Sequence, residues 1–316
     1  MLAPTRKILF IGRMVCYNAI KRLCLCQRKN ERRKIAGLNG SAFRLRSYSD
    51  QGVSLIKYYV VSDVHSFFTE LKTVLTEKGF FDDPEPHKLI ICGDLFDRGT
   101  EAQAMQAFIL DLMAKDQVIL VRGNHEDLAL ELLHQWSNYS FLQRHHNLNG
   151  TVDTVCQLTG FSFRDVHTKT DAVGRAFLRC PFIQEIIPAM VDYFETDHYI
   201  FTHGWIPCDV TTNDSGEKVY APIADWRNAD RKLWKNARWV NGMEAAHNGI
   251  LEAGKTIVCG HWHCSFGHAR YEHDGSDFEK DANFDPYRAE GVLAIDACTA
   301  LSGKVNCVVI EDASLE

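Results

Sequence analysis

The chain has no run of about 18 apolar residues, so no segment reads as a membrane-spanning helix. It also has no Cys-x-x-Cys pair. Its 11 cysteines are odd in number and scattered, which excludes a disulfide framework and fits free thiols in a reducing compartment, the cytoplasm. Internal repeats and low-complexity tracts are absent. Basic charge is scarce over most of the length: residues 57–316 carry 23 basic against 39 acidic side chains, a net −16. That balance argues against nucleic acid as a partner, because binding a phosphate backbone needs clustered Lys and Arg.

The missing basic charge is concentrated at the start. Residues 1–56 hold twelve Lys and Arg and only two acidic residues, Glu31 and Asp50, a net +10. The sequence therefore divides into a basic leader, 1–56, and a body, 57–316. The leader reads as a disordered tail. An Arg-rich transit peptide and a membrane-surface or nucleic-acid arm are its alternatives. The whole chain is 46% hydrophobic and 11% aromatic, enough to bury a large core, so wholesale disorder is excluded.

Within the body, short β-branched runs alternate with helical periodicity. Strands are expected at 57–62, 88–92 and 117–121, and helices at 69–79, 101–115 and 126–136. Gly79 suits the residue that closes the first helix. Residues 134–196 lack alternation and read as a helical insertion, with a helix-like stretch at 182–194. Further strands are expected at 198–202, 255–259, 292–296 and 304–311, the last two a closing pair joined by a turn containing Ser302-Gly303. Strand–helix alternation implies an α/β fold with parallel strands, whose ligands sit beyond the strands' carboxyl ends.

Those ends share a composition. Asp63 and His65 follow the first strand, and Gly93-Asp94-Leu95-Phe96-Asp97-Arg98-Gly99 follows the second. Arg122-Gly123-Asn124-His125-Glu126 follows the third, His203-Gly204 the fourth and Gly260-His261-Trp262-His263 the fifth. Five strand ends thus finish in hard or borderline metal ligands beside glycines. Two divalent cations clamping a phosphoryl group need mixed imidazole and oxygen donors and one carboxylate that can bridge them.

In this order the motifs DxH, GDxxDRG, GNHE, His-Gly and GHxH resemble those of the calcineurin-like metallophosphoesterases. RGNHE resembles the branch of phosphoprotein serine/threonine phosphatases of bacterial and phage type. The resemblance covers about 57–316 and implies a four-layer αββα sandwich with a helical insertion. It implies two divalent metal ions, Mn²⁺ first, with Fe or Zn as alternatives. Asp63 and His65 would hold one, Asp94 would bridge, and Asn124, His203 and His261 would hold the other. His263 would serve the first metal as in the broader superfamily, although phosphoprotein phosphatases usually lack it, and a place behind the ligands or at the surface is its alternative. His125 would be the general acid, oriented by Asp97. Arg98 and Arg122 would hold phosphate oxygens, with Arg122 alternatively bracing a loop carboxylate; Arg238 of Trp234-Lys235-Asn236-Ala237-Arg238, a stretched match to the family's Trp-Asn-Arg segment, would join them or be an ordinary exposed charge.

The activity so implied is hydrolysis of phosphate monoesters by a metal-bound hydroxide. The substrate would be a phosphopeptide or a small phosphate ester. Two departures, His203-Gly204-Trp205 in place of HGG and the absence of a C-terminal SAPNY, leave protein substrates open. A dinucleoside tetraphosphate hydrolase shares most of these motifs and is the first alternative. An inactive scaffold is the second, although no ligand or motif histidine is missing. Trp205, Trp226, Trp234 and Trp239 read as core before they read as a substrate wall.

Overall fold

The computed structural model describes residues 55–138 and 142–313. All but the last two residues of the basic leader lie outside the described residues. The strands are β1 (Leu55–Val61), β2 (His87–Cys92), β3 (Val118–Val121), β4 (Phe194–Glu195), β5 (Tyr199–Phe201), β6 (Cys208–Thr212), β7 (Lys218–Pro222), β8 (Thr256–Cys259), β9 (Tyr287–Ala289), β10 (Val292–Ala294) and β11 (Val308–Ala313). One sheet runs β11-β1-β2-β3 and a second runs β4-β5-β8-β10-β9, while β6 and β7 form a separate hairpin.

Side-chain alternation makes a sandwich of the two sheets. Tyr58 and Val60 of β1 and Ile90 and Cys92 of β2 meet Phe201, Val258 and Leu293 of the second sheet in one core. Their neighbours along each strand face outward. Tyr59, Val61, Leu89 and Ile91 pack under helices α1 (Phe68–Glu77), α2 (Ala102–Ala114) and α3 (Asn124–Asn138). Ile200, Ile257 and Val292 pack against Trp205, Trp226 and Trp234 on the other side. The expected four layers are therefore built by strands that are apolar on both faces.

The insertion is helical as expected: α4 (Arg144–Leu148), α5 (Thr151–Thr159), α6 (Phe163–Thr168) and α7 (Thr170–Leu178). Ser162 caps α6 in a reciprocal capping box with Asp165. The stretch 182–194 is corrected. It holds a π-helical turn, Phe182–Ile186, and one α-helical turn, Ile187–Ala189, and then goes extended. Val191 there bonds the open edge of β3, donating to Leu120 O and accepting from Arg122 N, both at 2.9 Å. Edge pairing outweighs helical continuation at that point.

A second correction concerns the closing strands. They do not pair with each other: β10 lies parallel to β8, and β11 is antiparallel to β1 in the opposite sheet. Ile295 and Ile310 both enter the inter-sheet core, so the chain between them crosses from one sheet to the other. Periodicity marks a strand but not its sheet. Among the described residues no helix is long and apolar enough to cross a membrane, and the eight cysteines are free.

Candidate metal centre and active site

β1, β2 and β3 are parallel, as are β5, β8 and β10, so six carboxyl ends open at one side of the sandwich. That geometry gathers Asp63, His65, Asp94, Asp97, Asn124, His125, His203 and His261, although they span almost 200 positions. Asp94 sits at the middle. Its Oδ1 is 3.5 Å from His203 Nε2, and its Oδ2 is 3.8 Å from both His65 Nε2 and His125 Nε2. Two trios of donor atoms result, His65–Asp94–His125 and Asp94–His203–His261, which share only this carboxylate.

Two of the imidazoles are held by backbone carbonyls, which can only accept: His65 Nδ1–H donates to Phe96 O and His203 Nδ1–H to Cys92 O, both at 2.8 Å. In His65 and His203 this leaves the Nε2 lone pair facing the centre, the arrangement that second partners impose on metal-binding histidines. His203 Nε2 then faces Asn124 Oδ1 at 2.7 Å, a contact between two acceptors that a shared cation makes favourable. Asp63 accepts from His261 N at 2.9 Å and from the Ser62 hydroxyl, which ties the first strand end to the fifth.

The electrostatics of the site point the same way. Burial, reinforced by the neighbouring carboxylates, pushes Asp94 well above the usual carboxylate range, and burial raises Asp63 as well. Burial holds His65 and His261 well below the ordinary imidazole value and lowers His203 to about 4. The site therefore holds buried carboxylates without an adjacent positive charge sufficient to balance them, beside neutral imidazoles. A donor set of this kind fits divalent cations, whose charge would return the carboxylates to their ionised form.

Beside the trios stands an imidazole–carboxylate pair. His125 Nδ1–H donates to Asp97 Oδ2 at 2.7 Å, and His125 Nε2 accepts from Arg98 Nη2 at 3.3 Å. Asp97 also accepts from Thr151 Oγ1 at 2.8 Å and Thr154 Oγ1 at 2.7 Å, so α5 of the insertion holds it in place. Burial raises Asp97 to about 7 against the opposing threonine bonds.

Arg122 and Arg238 come together on Asp127. Arg238 Nη1 donates to Asp127 Oδ2 at 2.8 Å and Nη2 to Asp192, while Arg122 Nε lies 3.7 Å from Asp127 Oδ1. Both guanidinium groups are buried, yet Arg122 Nε and Nη2 and Arg238 Nε have no hydrogen-bond partner. Three buried N–H donors without acceptors are rare in native structures and suit an anionic oxygen ligand.

The loops that carry these groups are strained and clasped. Asp63, His65, Asp94, Asp97, Arg98 and His261 all have positive φ, between 45° and 74°, a conformation costing about 1–2 kcal/mol per residue. Glu126 offsets this by accepting from Gly123 N at 2.7 Å, Leu95 N at 3.0 Å and Asp94 N at 3.2 Å. Gly123 must be glycine, because a Cβ there would lie 2.1 Å from Asp94 Oδ1. Glu126→Gln should turn an amide N–H₂ toward one of those donors and leave it unpaired. We expect a loss of about 1–3 kcal/mol, read as a Tm lower by several degrees, and weaker Mn²⁺ binding. An unchanged melting curve and Mn²⁺ affinity would remove Glu126 from this role.

The sequence signature of the calcineurin-like phosphoesterases matches residues 56–265. The chain belongs to that family. Membership makes this phosphoesterase a hydrolase of the metal-binding class. Among curated proteins, it is 38% identical over 73 residues to the serine/threonine-protein phosphatase 1 of Salmonella typhimurium. That match covers 23% of this chain and 31% of the relative. It is 40% identical over 77 residues to the symmetrical bis(5'-nucleosyl)-tetraphosphatase of Thioalkalivibrio sulfidiphilus, covering 24% and 27%. The chain thus spans less than a third of either relative's length. The structure of a protein serine/threonine phosphatase from Saccharomyces cerevisiae aligns over 83% of this chain and 81% of its own, at 15% identity and a TM-score of 0.40.

Not every residue expected at the site comes to it in the expected way. His263 is in neither trio. Its Nδ1 lies 2.7 Å from Ser265 Oγ and its ring sits tilted against Phe278, with centroids 4.2 Å apart, so local partners occupy it. Conversely, Asp296 belongs to none of the sequence motifs, yet it lies beside the centre. It is buried at the end of β10, accepts from Cys298 N at 2.7 Å, and is raised by burial and then by Asp63. A signal for it exists in the sequence, since it ends a strand as the other carboxylates do. Trp205, Trp226 and Trp234 are core, whereas Trp239 is 49% exposed with its ring 5.6 Å from that of His261.

Proposed function

We propose that this phosphoesterase hydrolyses phosphate monoesters in the manner of serine/threonine phosphoprotein phosphatases. The observation that carries the proposal is Asp94, whose two oxygens face separate histidine groups beside the His125–Asp97 pair. Asp63, His65 and Asp94 would hold one divalent cation, and Asp94, Asn124, His203 and His261 the other, with Mn²⁺ the first choice. Such cations, when bound, supply Lewis-acid charge at phosphoryl oxygens and ionise a water at neutral pH. Arg122 and Arg238 would present their unpaired N–H groups to the equatorial oxygens, and Arg98, whose Nη2 donates to His125 Nε2, would join them. His125, with Nδ1–H fixed on Asp97, turns Nε2 inward, and in its doubly protonated form that nitrogen would give its proton to the leaving oxygen, returning the ring to the neutral state. The chain would act in the cytoplasm on a phosphopeptide or small ester.

Phosphate release from phosphoserine peptides and p-nitrophenyl phosphate, and cleavage of diadenosine tetraphosphate to nucleotides, each with Mn²⁺, Fe²⁺ or Zn²⁺, test the reading. No turnover of any monoester with any metal would refute it. One observation favours the dinucleotide as a second substrate: exposed Trp239 at the rim offers a face on which a base can stack. A stacked base is worth about 1–3 kcal/mol. Trp239→Ala should then raise KM for diadenosine tetraphosphate by roughly tenfold with little change in kcat, while the phosphoserine peptide is unaffected. Equal KM values in parent and variant would exclude that stacking.

A further inference from the structure

Away from the centre just described, a second kind of donor cluster stands where the insertion meets α3. Glu131 lies on α3, two turns past His125, and His145 and His146 lie at the start of α4. One ligand atom from each of the three lies within 4.8 Å of the other two. His145 Nε2 is 3.3 Å from Glu131 Oε1, and the two imidazole rings are 4.0 Å apart.

The orientation of Gln135 decides the protonation of His146. Its amide N–H donates to Glu131 Oε1 at 3.0 Å, so its carbonyl oxygen is the end that meets His146 Nε2 at 3.2 Å. A carbonyl oxygen can only accept, and His146 Nε2 therefore carries the proton. The lone pair is left on Nδ1, which is buried and has no partner. The whole side chain is 0% exposed, and burial holds its pKa down at about 4, so the ring is neutral at physiological pH. An imidazole with one N–H fixed by an outer partner and the other nitrogen bare has the form of a metal ligand.

We propose that Glu131, His145 and His146 hold a further divalent cation, separate from the catalytic centre. Two imidazoles with one carboxylate select the borderline ions, Zn²⁺ or Co²⁺, and leave at least one position for water. The site joins α3, which begins with Asn124 and His125, to α4. It also lies behind the acid pair: His146 stands near Asp97, and Gly150, just past α4, packs where a Cβ would come 2.4 Å from Arg98 N. A cation here would fasten the insertion onto the elements that carry Asp97 and His125.

The test is zinc content after equilibrium dialysis of the untagged full chain against micromolar Zn²⁺. It is run in the parent and in an Asp94→Asn background that disables the catalytic centre. Because the new site does not depend on Asp94, the Asp94→Asn protein should still hold a zinc ion at it. Adding His145→Ala or the near-isosteric Glu131→Gln should remove it, and in the parent each change should lower the count by one. His145 is half-exposed and Glu131→Gln keeps its shape, so circular dichroism should report an unchanged fold in both. Zinc counts equal to the corresponding background in either variant would overturn the proposal. A failure of the catalytic reading would appear instead as no phosphatase activity with this zinc still bound.

Discussion

Asp94→Asn should reduce metal-dependent turnover of every phosphate ester by about 10³-fold or more, the equivalent of several kcal/mol at about 1.36 kcal/mol per decade. The expectation rests on what an amide does at this position. The carboxylate presents one oxygen to His203 and the other to His65, and both can bear negative charge. An amide offers one oxygen and turns an N–H₂ toward the other group of donors, so one of the two trios loses an anionic ligand. Metal analysis of Mn²⁺-loaded protein should show the same loss, with fewer ions bound per chain than in the parent. The variant keeps the volume of the side chain and should remain folded. Parental rates with full metal content would remove Asp94 from the bridging role.

His125→Ala should produce a loss that depends on the leaving group. A general acid contributes about 10²–10⁴-fold when the departing oxygen is basic and much less when it is not. Turnover of a phosphoserine peptide should therefore fall by about that factor, and turnover of p-nitrophenyl phosphate by far less, its phenolate leaving without a proton. The comparison also separates two roles for this residue. His125 Nε2 lies 3.8 Å from Asp94 Oδ2, close enough to count as a metal donor. Its other nitrogen is committed to Asp97 and its Nε2 accepts from Arg98, which suits proton transfer better than coordination. Unchanged Mn²⁺ content with a leaving-group-dependent rate loss is the expected pair of results. Equal losses on both esters, together with lost metal, would reassign His125 as a ligand.

Much of this centre is legible in the sequence, for a local reason. Each ligand follows directly on an apolar strand, so the motif and the element that aims it are contiguous in the chain. The strands at 88–92 and 117–121 fall within a residue of β2 and β3, and Gly79 does close α1 with φ of +83°. Elements without a strong apolar pattern escape such a reading. The β6–β7 hairpin is mostly exposed and has no buried face to leave a period of two, and β4 and β9 are only two and three residues long. The pairing expected for 292–296 and 304–311 fails because a short connection suggests a hairpin, whereas burial of both Ile295 and Ile310 sends the strands to different sheets.

The chain's own order of residues determined the family and marked the candidate donor residues at each strand end, because metal and phosphate chemistry narrow the choice of side chain there. Tertiary structure alone decided what surrounds them. Asp127 reaches Arg238 across 111 positions, and Thr154 reaches Asp97 across 57. No local pattern marks such partners, since their identity follows from where distant elements pack. The same cause set the His263 ring against Phe278, brought Asp296 in beside Asp63, and left Trp239 at the rim while three other tryptophans were buried. Side-chain chemistry is written along the chain, but the buried contacts that fix its orientation exist only once the two sheets have closed on each other.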